Sequence, residues 1–375
     1  MSDVSDLLAD LVAIDSVNPD LVPGGAGEAE LARFAGGWLE RAGLDVTLAE
    51  VAPGRLNVVG VARGSGGGRS LLLNAHLDTV GHEGMQDGLR ARIEDGRMYG
   101  RGAYDMKAGL ASIMLAGAEA ARAGLRGDVI VTGVCDEEFA SLGAHRLAEE
   151  WGADAAIVTE PTGERLRIAL AHKGFTWHEV EVHGRAAHGS RPDEGVDAIV
   201  RMGRVLAGIE RLSAALAERE PHPLLGPGSI HASLIEGGRE LSTYPDRCLL
   251  QLERRTLPGE SVEDVEAELR EILDTAGRDD PDFSAQLRTT LVRPPMETPP
   301  GEPIVETIRD VVGCDVELIG VPFWADSAVL SAAGIPTVIF GPGGAGAHAA
   351  VEWVDLAQAE RCAAALAEVC RRWAG

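Results

Sequence analysis

The chain has 375 residues, 45% of them hydrophobic, enough for an ample core and, since single cores usually stop growing at roughly 250–300 residues, for two domains. A formal net charge of −25 argues against nucleic acid and anionic membrane surfaces as partners, because neutralising phosphates needs clustered Lys and Arg. Five scattered cysteines without a CxxC pair read as reduced thiols, and the acidic Met1-Ser2-Asp3 start carries no signal-peptide pattern, so a soluble, cytoplasmic protein without a membrane span is expected.

In chain order, the pattern predicts amphipathic helices over residues 3–14 and 28–42, then a short apolar strand over 57–61. An apolar strand over 70–75 delivers His76 and Asp78 at its end, where side chains two apart face the same way. Asp105 stands at the start of a long helix over 106–123; a carboxylate is comfortable there beside the helix dipole even without a functional role. Strands over 129–134 and 155–159 run into Asp136-Glu137-Glu138 and Glu160. Ligand sites of open α/β sheets lie beyond the carboxyl ends of strands, which is where these acids fall.

After Lys173 the order becomes β-α-β-β-α-β, with strands over 175–182, 229–235, 248–254 and 283–292 and helices over 196–217 and 262–275. That is the split ferredoxin-like arrangement. The expected fold class is α/β, a layered α/β domain formed by residues 1–173 and 294–375 with a ferredoxin-like α+β domain inserted at 174–293. The tail resumes α/β order with helices over 304–312 and 327–333, strands over 316–320 and 337–340, and a glycine-rich loop that carries His348.

Two histidines and several carboxylates at strand ends and turns, free of thiolate, form a donor set suited to zinc, cobalt or manganese. A carboxylate that bridges two ions holds them roughly 3.5–4 Å apart. Adjacent glutamates at a strand end cannot point the same way, so one of Glu137 and Glu138 can bind metal while its neighbour meets the attacking water. This division suits metal-assisted amide hydrolysis, in which a carboxylate takes a proton from water and hands it to the leaving amine. No Gly-x-Ser-x-Gly elbow supports a serine mechanism, and the glycine-rich stretches lack the Lys-Ser or helix context of nucleotide loops. Only Lys107 and Lys173 are lysines, and both lie in segments of interest.

The text His76-Leu-Asp-Thr-Val80, Gly100-Arg-Gly-Ala-Tyr-Asp-Met-Lys107, Asp136-Glu-Glu138, Glu160-Pro161, Gly184-Arg-Ala-Ala-His188, Arg255-Thr-Leu-Pro-Gly259 and Gly341-Pro-Gly343 through His348 resembles a family of dizinc metallopeptidases and aminoacylases over nearly the whole chain. The family includes acetylornithine deacetylase, succinyl-diaminopimelate desuccinylase and glutamate carboxypeptidase. The resemblance implies two divalent ions, zinc first, with cobalt or manganese as alternatives, held by His76, Asp105, Glu138, Glu160 and His348, with Asp105 bridging. It implies Glu137 as general base, Asp78 as the group orienting His76, and deacylation of an N-acyl amino acid, with glutamate-carboxypeptidase-like or dipeptidase activity, or a noncatalytic metal-binding protein on the same fold, as the alternatives. It further implies that the inserted domain is a lid and homodimer interface, that His188 stabilises the oxyanion, and that Arg255 binds a substrate carboxylate. Ser242, Glu253 and Val351 depart from the family pattern; Ser242 alters a substrate contact, and none of the three is a ligand.

Overall fold

The computed structural model describes residues 4–375, so Met1, Ser2 and Asp3, where the acidic start and the first expected helix begin, lie outside the described residues. By internal packing the chain divides into two units, one of Met1–Leu170, Thr298–Ile319 and Ala325–Gly375, the other of Ala171–Glu297 with Gly320–Trp324. The junctions thus fall a few residues outside 174 and 293, and a short later segment joins the second unit.

The first unit is built on a mixed sheet with the strand order Asp45–Ala52, Arg55–Ala62, Val129–Val134, Leu71–His76, Ala155–Val158, Thr337–Ile339, Ile168–His172. The four strands from Val129–Val134 to Thr337–Ile339 run parallel to one another. They are buried along their whole length, and sheets covered on both faces select unbroken apolar runs such as Leu71-Leu72-Leu73. Each of those leucines is worth about 1.5–3 kcal/mol relative to exposure. The alanine- and glycine-rich helix Ala108–Ala123 packs against Leu356–Ala374 and Val4–Ala13, while Leu142–Glu150 packs with Ser327–Ala332. A small antiparallel sheet, Gly344–Ala345, Trp353–Asp355, Arg97–Tyr99, Arg92–Glu94, joins the chain on either side of His348 to the hairpin that precedes Asp105.

The second unit is an antiparallel four-stranded sheet, in the order Ser229–Gly237, Arg247–Thr256, Gly174–His183, Ser284–Arg293. Helices Ala198–Glu218 and Val262–Gly277 cover it. Its own core gathers Val180, Val182, Met202, Val205, Leu250, Leu252, Val265 and Leu269. Asp197 caps the first helix through the amide of Val200, and Ser261 with Asp264 forms a capping box on the second. No helix among the described residues is long and apolar enough to cross a membrane.

Candidate functional site

The parallel strands of the first unit deliver their chemistry at one edge. His76 ends Leu71–His76, Glu137 and Glu138 lie just beyond Val129–Val134, Glu160 just beyond Ala155–Val158, and the strand Thr337–Ile339 leads into the loop of His348. Parallel neighbours place all these ends on the same side of the sheet. Asp105 arrives from a turn instead of the helix start expected at Met106. Gly102 is left-handed at φ 77°, Asp105 and Met106 have non-helical backbone angles, and the helix begins only at Ala108.

The Asp105 carboxylate stands between two imidazoles, with Oδ1 3.1 Å from Nε2 of His76 and Oδ2 3.3 Å from Nε2 of His348. Glu138 Oε2 lies 3.1 Å from that same nitrogen of His348, and Glu160 Oε1 3.7 Å from His76 Nε2. Donor atoms of His76, Asp105 and Glu138 lie within 4.8 Å of one another, as do those of His76, Glu137 and Glu160. The five proposed ligands and Glu137 therefore share one cluster, in which a single aspartate faces both histidines.

Asp78 meets His76 through its main chain. The Nδ1 of His76 lies 2.9 Å from the main-chain carbonyl oxygen of Asp78, while the nearer carboxylate oxygen is 3.7 Å away. The carboxylate is committed elsewhere. It accepts from the amides of Glu137 and Glu138, both at 3.1 Å, and from Asn18 Nδ2 at 2.8 Å. Asp78 thus holds His76 by its backbone and the two glutamates by its side chain.

The electrostatics call for positive charge. Burial first, then Glu160, Asp326 and Glu138, hold the Glu137 carboxyl well above its usual range against the opposing pull of His76. Glu160 is pushed well up, and Glu138 up, by burial and neighbouring acids. Burial opposes charge on His76 as well, but its bond to Asp105 and the nearby acids raise its pKa well above normal. His348 is pushed up to about 10 by Asp105 and Glu138. Only Asp105 is held below the usual range, because hydrogen bonds from both histidines and their charges outweigh its burial. Buried acids crowding two imidazoles, with no sulfur, match the donor chemistry of hard-to-borderline dications, so the residues fit a two-ion centre.

Several supports were not identified from the sequence. Asp136, fully buried at φ 70°, accepts from Asn18 at 2.9 Å and from Arg55 at 3.0 Å, and Arg55 Nε also donates to Glu28 at 2.7 Å. This network anchors the turn from which Glu137 and Glu138 diverge. Glu352 accepts from the amides of Tyr104 and Asp105. The two lysines act as tethers: Lys107 Nζ donates to Ile14 O at 2.7 Å, with its pKa lowered to about 8 by burial, and Lys173 Nζ donates to Pro227 O at 2.6 Å.

The remaining candidates lie in the second unit. The His188 and Ser242 turns are joined, the Gly189 amide donating to Ser242 O at 2.7 Å, and His188 Nδ1 lies 2.8 Å from Ser190 Oγ. Arg255 is half-buried on Arg247–Thr256, its Nε donating to Glu253 Oε1 at 2.7 Å and its guanidinium 4.7 Å from the Phe175 ring centre. Glu253 also accepts from Trp177 Nε1 at 2.9 Å, so this longer acid at the departure from the family pattern serves two donors.

Comparison with known proteins shows the family. The profile of peptidase family M20/M25/M40 matches residues 72–372. An acetylornithine deacetylase of Myxococcus xanthus is 32% identical over 98% of this chain and 97% of its own length. Another from Pectobacterium carotovorum is 29% identical over 87% and 86%. Among solved structures, aminopeptidase PepT from Bacillus cereus superposes with a TM-score of 0.82 at 20% identity, covering 99% of this chain and 98% of that one. A dinuclear metal-binding M20 peptidase from Bacillus subtilis gives 0.77 at 15% identity over 99% and 97%.

Proposed function

The chain belongs to peptidase family M20/M25/M40, and from that premise we propose that it removes an acyl group from the nitrogen of an amino acid using two divalent ions, zinc first among them. It is a hydrolase acting on amide bonds. The observation that carries the reading is Asp105, with one oxygen on His76 and the other on His348, and with Glu160 and Glu138 completing the two sides.

In this reading His76, Glu160 and Asp105 hold one ion, and His348, Glu138 and Asp105 hold the other. When bound, the pair polarises the scissile carbonyl and brings the pKa of water toward neutrality. Glu137 then accepts a proton from the attacking water and returns it to the leaving nitrogen, and the remaining proton of the new acid passes to the amine, so that amide and water become carboxylate and ammonium. Arg255 is proposed for the substrate carboxylate, Ser242 for a neighbouring contact, and His188 for the developing oxyanion. The names of the Myxococcus and Pectobacterium relatives favour a deacylase over a peptidase.

A homodimer through the second unit is supported by the edge strand Ser229–Gly237, which leaves Leu234 and Ile235 exposed on the same unit as exposed Ile199 and Val200. Five free cysteines, four of them buried, support a reducing, cytoplasmic setting.

The test is amine release from a panel of N-acetyl, N-succinyl and N-aminoacyl amino acids, by chelated protein with and without added zinc or cobalt. Metal-dependent release is expected, ranked highest on an N-acyl amino acid. Glu137→Gln should retain both ions and lose about 10²–10⁴-fold in rate. Unchanged hydrolysis in that variant would remove Glu137 from its role, and a preference for N-aminoacyl substrates would transfer the chain to the peptidases.

A further inference from the structure

Arg101 and Glu352 are buried, 3% and 1% exposed, and the chemistry above uses neither. They meet at 2.6 Å, Arg101 Nη1 donating to Glu352 Oε2. The rest of the Arg101 fork reaches two other loops: Nε donates to Gly81 O at 2.9 Å, beyond His76, and Nη2 donates to Ala349 O at 3.1 Å, next to His348. Glu352 grips the loop of Asp105, with Oε2 accepting from Gly102 N at 3.1 Å and Oε1 from Tyr104 N at 2.9 Å and Asp105 N at 3.0 Å. A carboxylate taking three amides and a guanidinium has its acceptor capacity largely filled. One buried ion pair therefore ties together the turns of Asp105 and His348 and the loop that follows His76.

We propose that Glu352, held by Arg101, is a positioning residue that locks the His348 turn to the Asp105 turn and thereby builds the ion position made by Asp105, Glu138 and His348. The proposal rests on the two-ion reading given above. The two ion positions depend on the latch unequally. His76 and Glu160 stand at the ends of buried parallel strands, whose ladders hold them independently of Glu352. His348 sits on a turn at φ 61° with its side chain 55% exposed; the short strands Gly344–Ala345 and Trp353–Asp355 hold the ends of that turn, and Arg101 holds it at Ala349. Loss of the latch frees that turn and the Asp105 backbone, while the strand-borne ligands stay in place.

The experiment is calorimetric titration of chelated protein with zinc chloride, for wild type, Glu352→Gln, His348→Ala and His76→Ala, with circular dichroism as a check on folding. Wild type should take up two ions. Glu352→Gln should weaken one of them about 10- to 100-fold, the range for residues that orient a metal ligand, and the other, which shares Asp105 but keeps strand-borne His76 and Glu160, by much less. Its cobalt absorption spectrum at one equivalent should match that of His348→Ala and not that of His76→Ala. If Glu352→Gln does not fold, Arg101→Lys, which keeps the charge but gives up the fork to Gly81 and Ala349, should weaken the same ion. A folded variant that binds both ions with wild-type affinity, or loses both equally, overturns the positioning role while the two-ion reading stands. A wild type that binds fewer than two ions overturns both.

Discussion

His348 and His76 carry opposite kinds of exposure and the same kind of charge shift. The His348 side chain is more than half exposed and that of His76 is buried, yet neighbouring acids raise both imidazoles above the usual 6.5, His348 to about 10. A folded-state pKa above the unfolded one means that the native protein binds the extra proton between the two values. In metal-free protein the stabilisation from these histidines is therefore complete below about pH 6.5 and is lost as pH rises toward 10. The raised pKa values of Glu137, Glu138 and Glu160 act in the same direction, since native protein keeps their protons longer. Metal loading has the reverse dependence, because an ion must displace those protons. Scanning calorimetry should show the Tm of chelated protein falling from pH 6.5 to 9 and the gap between zinc-loaded and chelated protein widening. A gap that narrows with pH would contradict the proposed ligand set.

The contact between helix Ala108–Ala123 and Thr159, just beyond the strand Ala155–Val158, is set by a single missing side chain. A Cβ at Gly109 would lie 2.4 Å from Thr159 O and 2.7 Å from Thr159 Oγ1, immediately before Glu160. The nearest obstacle is backbone, which cannot swing aside, so the helix itself must move. Gly109→Ala should cost about 1–3 kcal/mol despite alanine's better helix propensity, a loss that urea denaturation would measure. An equal or higher stability would mean that the two elements are loosely packed. Such contacts explain what the sequence disclosed. The central parallel strands were legible because burial on both faces demands unbroken apolar runs, and the proposed ligands His76, Glu138 and Glu160 stood out because they lie where those runs stop. The strands Arg92–Glu94, Arg97–Tyr99 and Trp353–Asp355 are too short to show a period, and Asp45–Ala52 mixes acids with apolar residues as an exposed edge can. The supports were hidden for another reason: Glu352 is 247 residues from Asp105, and Asn18 is 118 from Asp136. Nothing local marks either partner. The helix start placed at Met106 failed because apolar spacing does not report the left-handed Gly102 or the extended backbone after it.

At the scale of the molecule, every proposed ion ligand belongs to one unit, while the other holds a separate core with two capped helices. Chelation should therefore be felt unevenly. Hydrogen-exchange mass spectrometry should show faster exchange after metal removal in peptides covering 76–80, 101–107, 135–141 and 344–352, with the strands Gly174–His183 and Arg247–Thr256 unchanged. Uniform deprotection of both units would show that the ions stabilise the whole chain as one cooperative block. The Asn18, Glu28 and Arg55 supports carry a further consequence. The segment recognised as the family signature opens at residue 72, after all three. A gene trimmed to that signature would still encode every proposed ligand, yet its product would lack the floor on which Glu137 and Glu138 stand. Recombination that grafts the signature onto a foreign N-terminal segment would inherit the reagents of the site without the means to hold them apart.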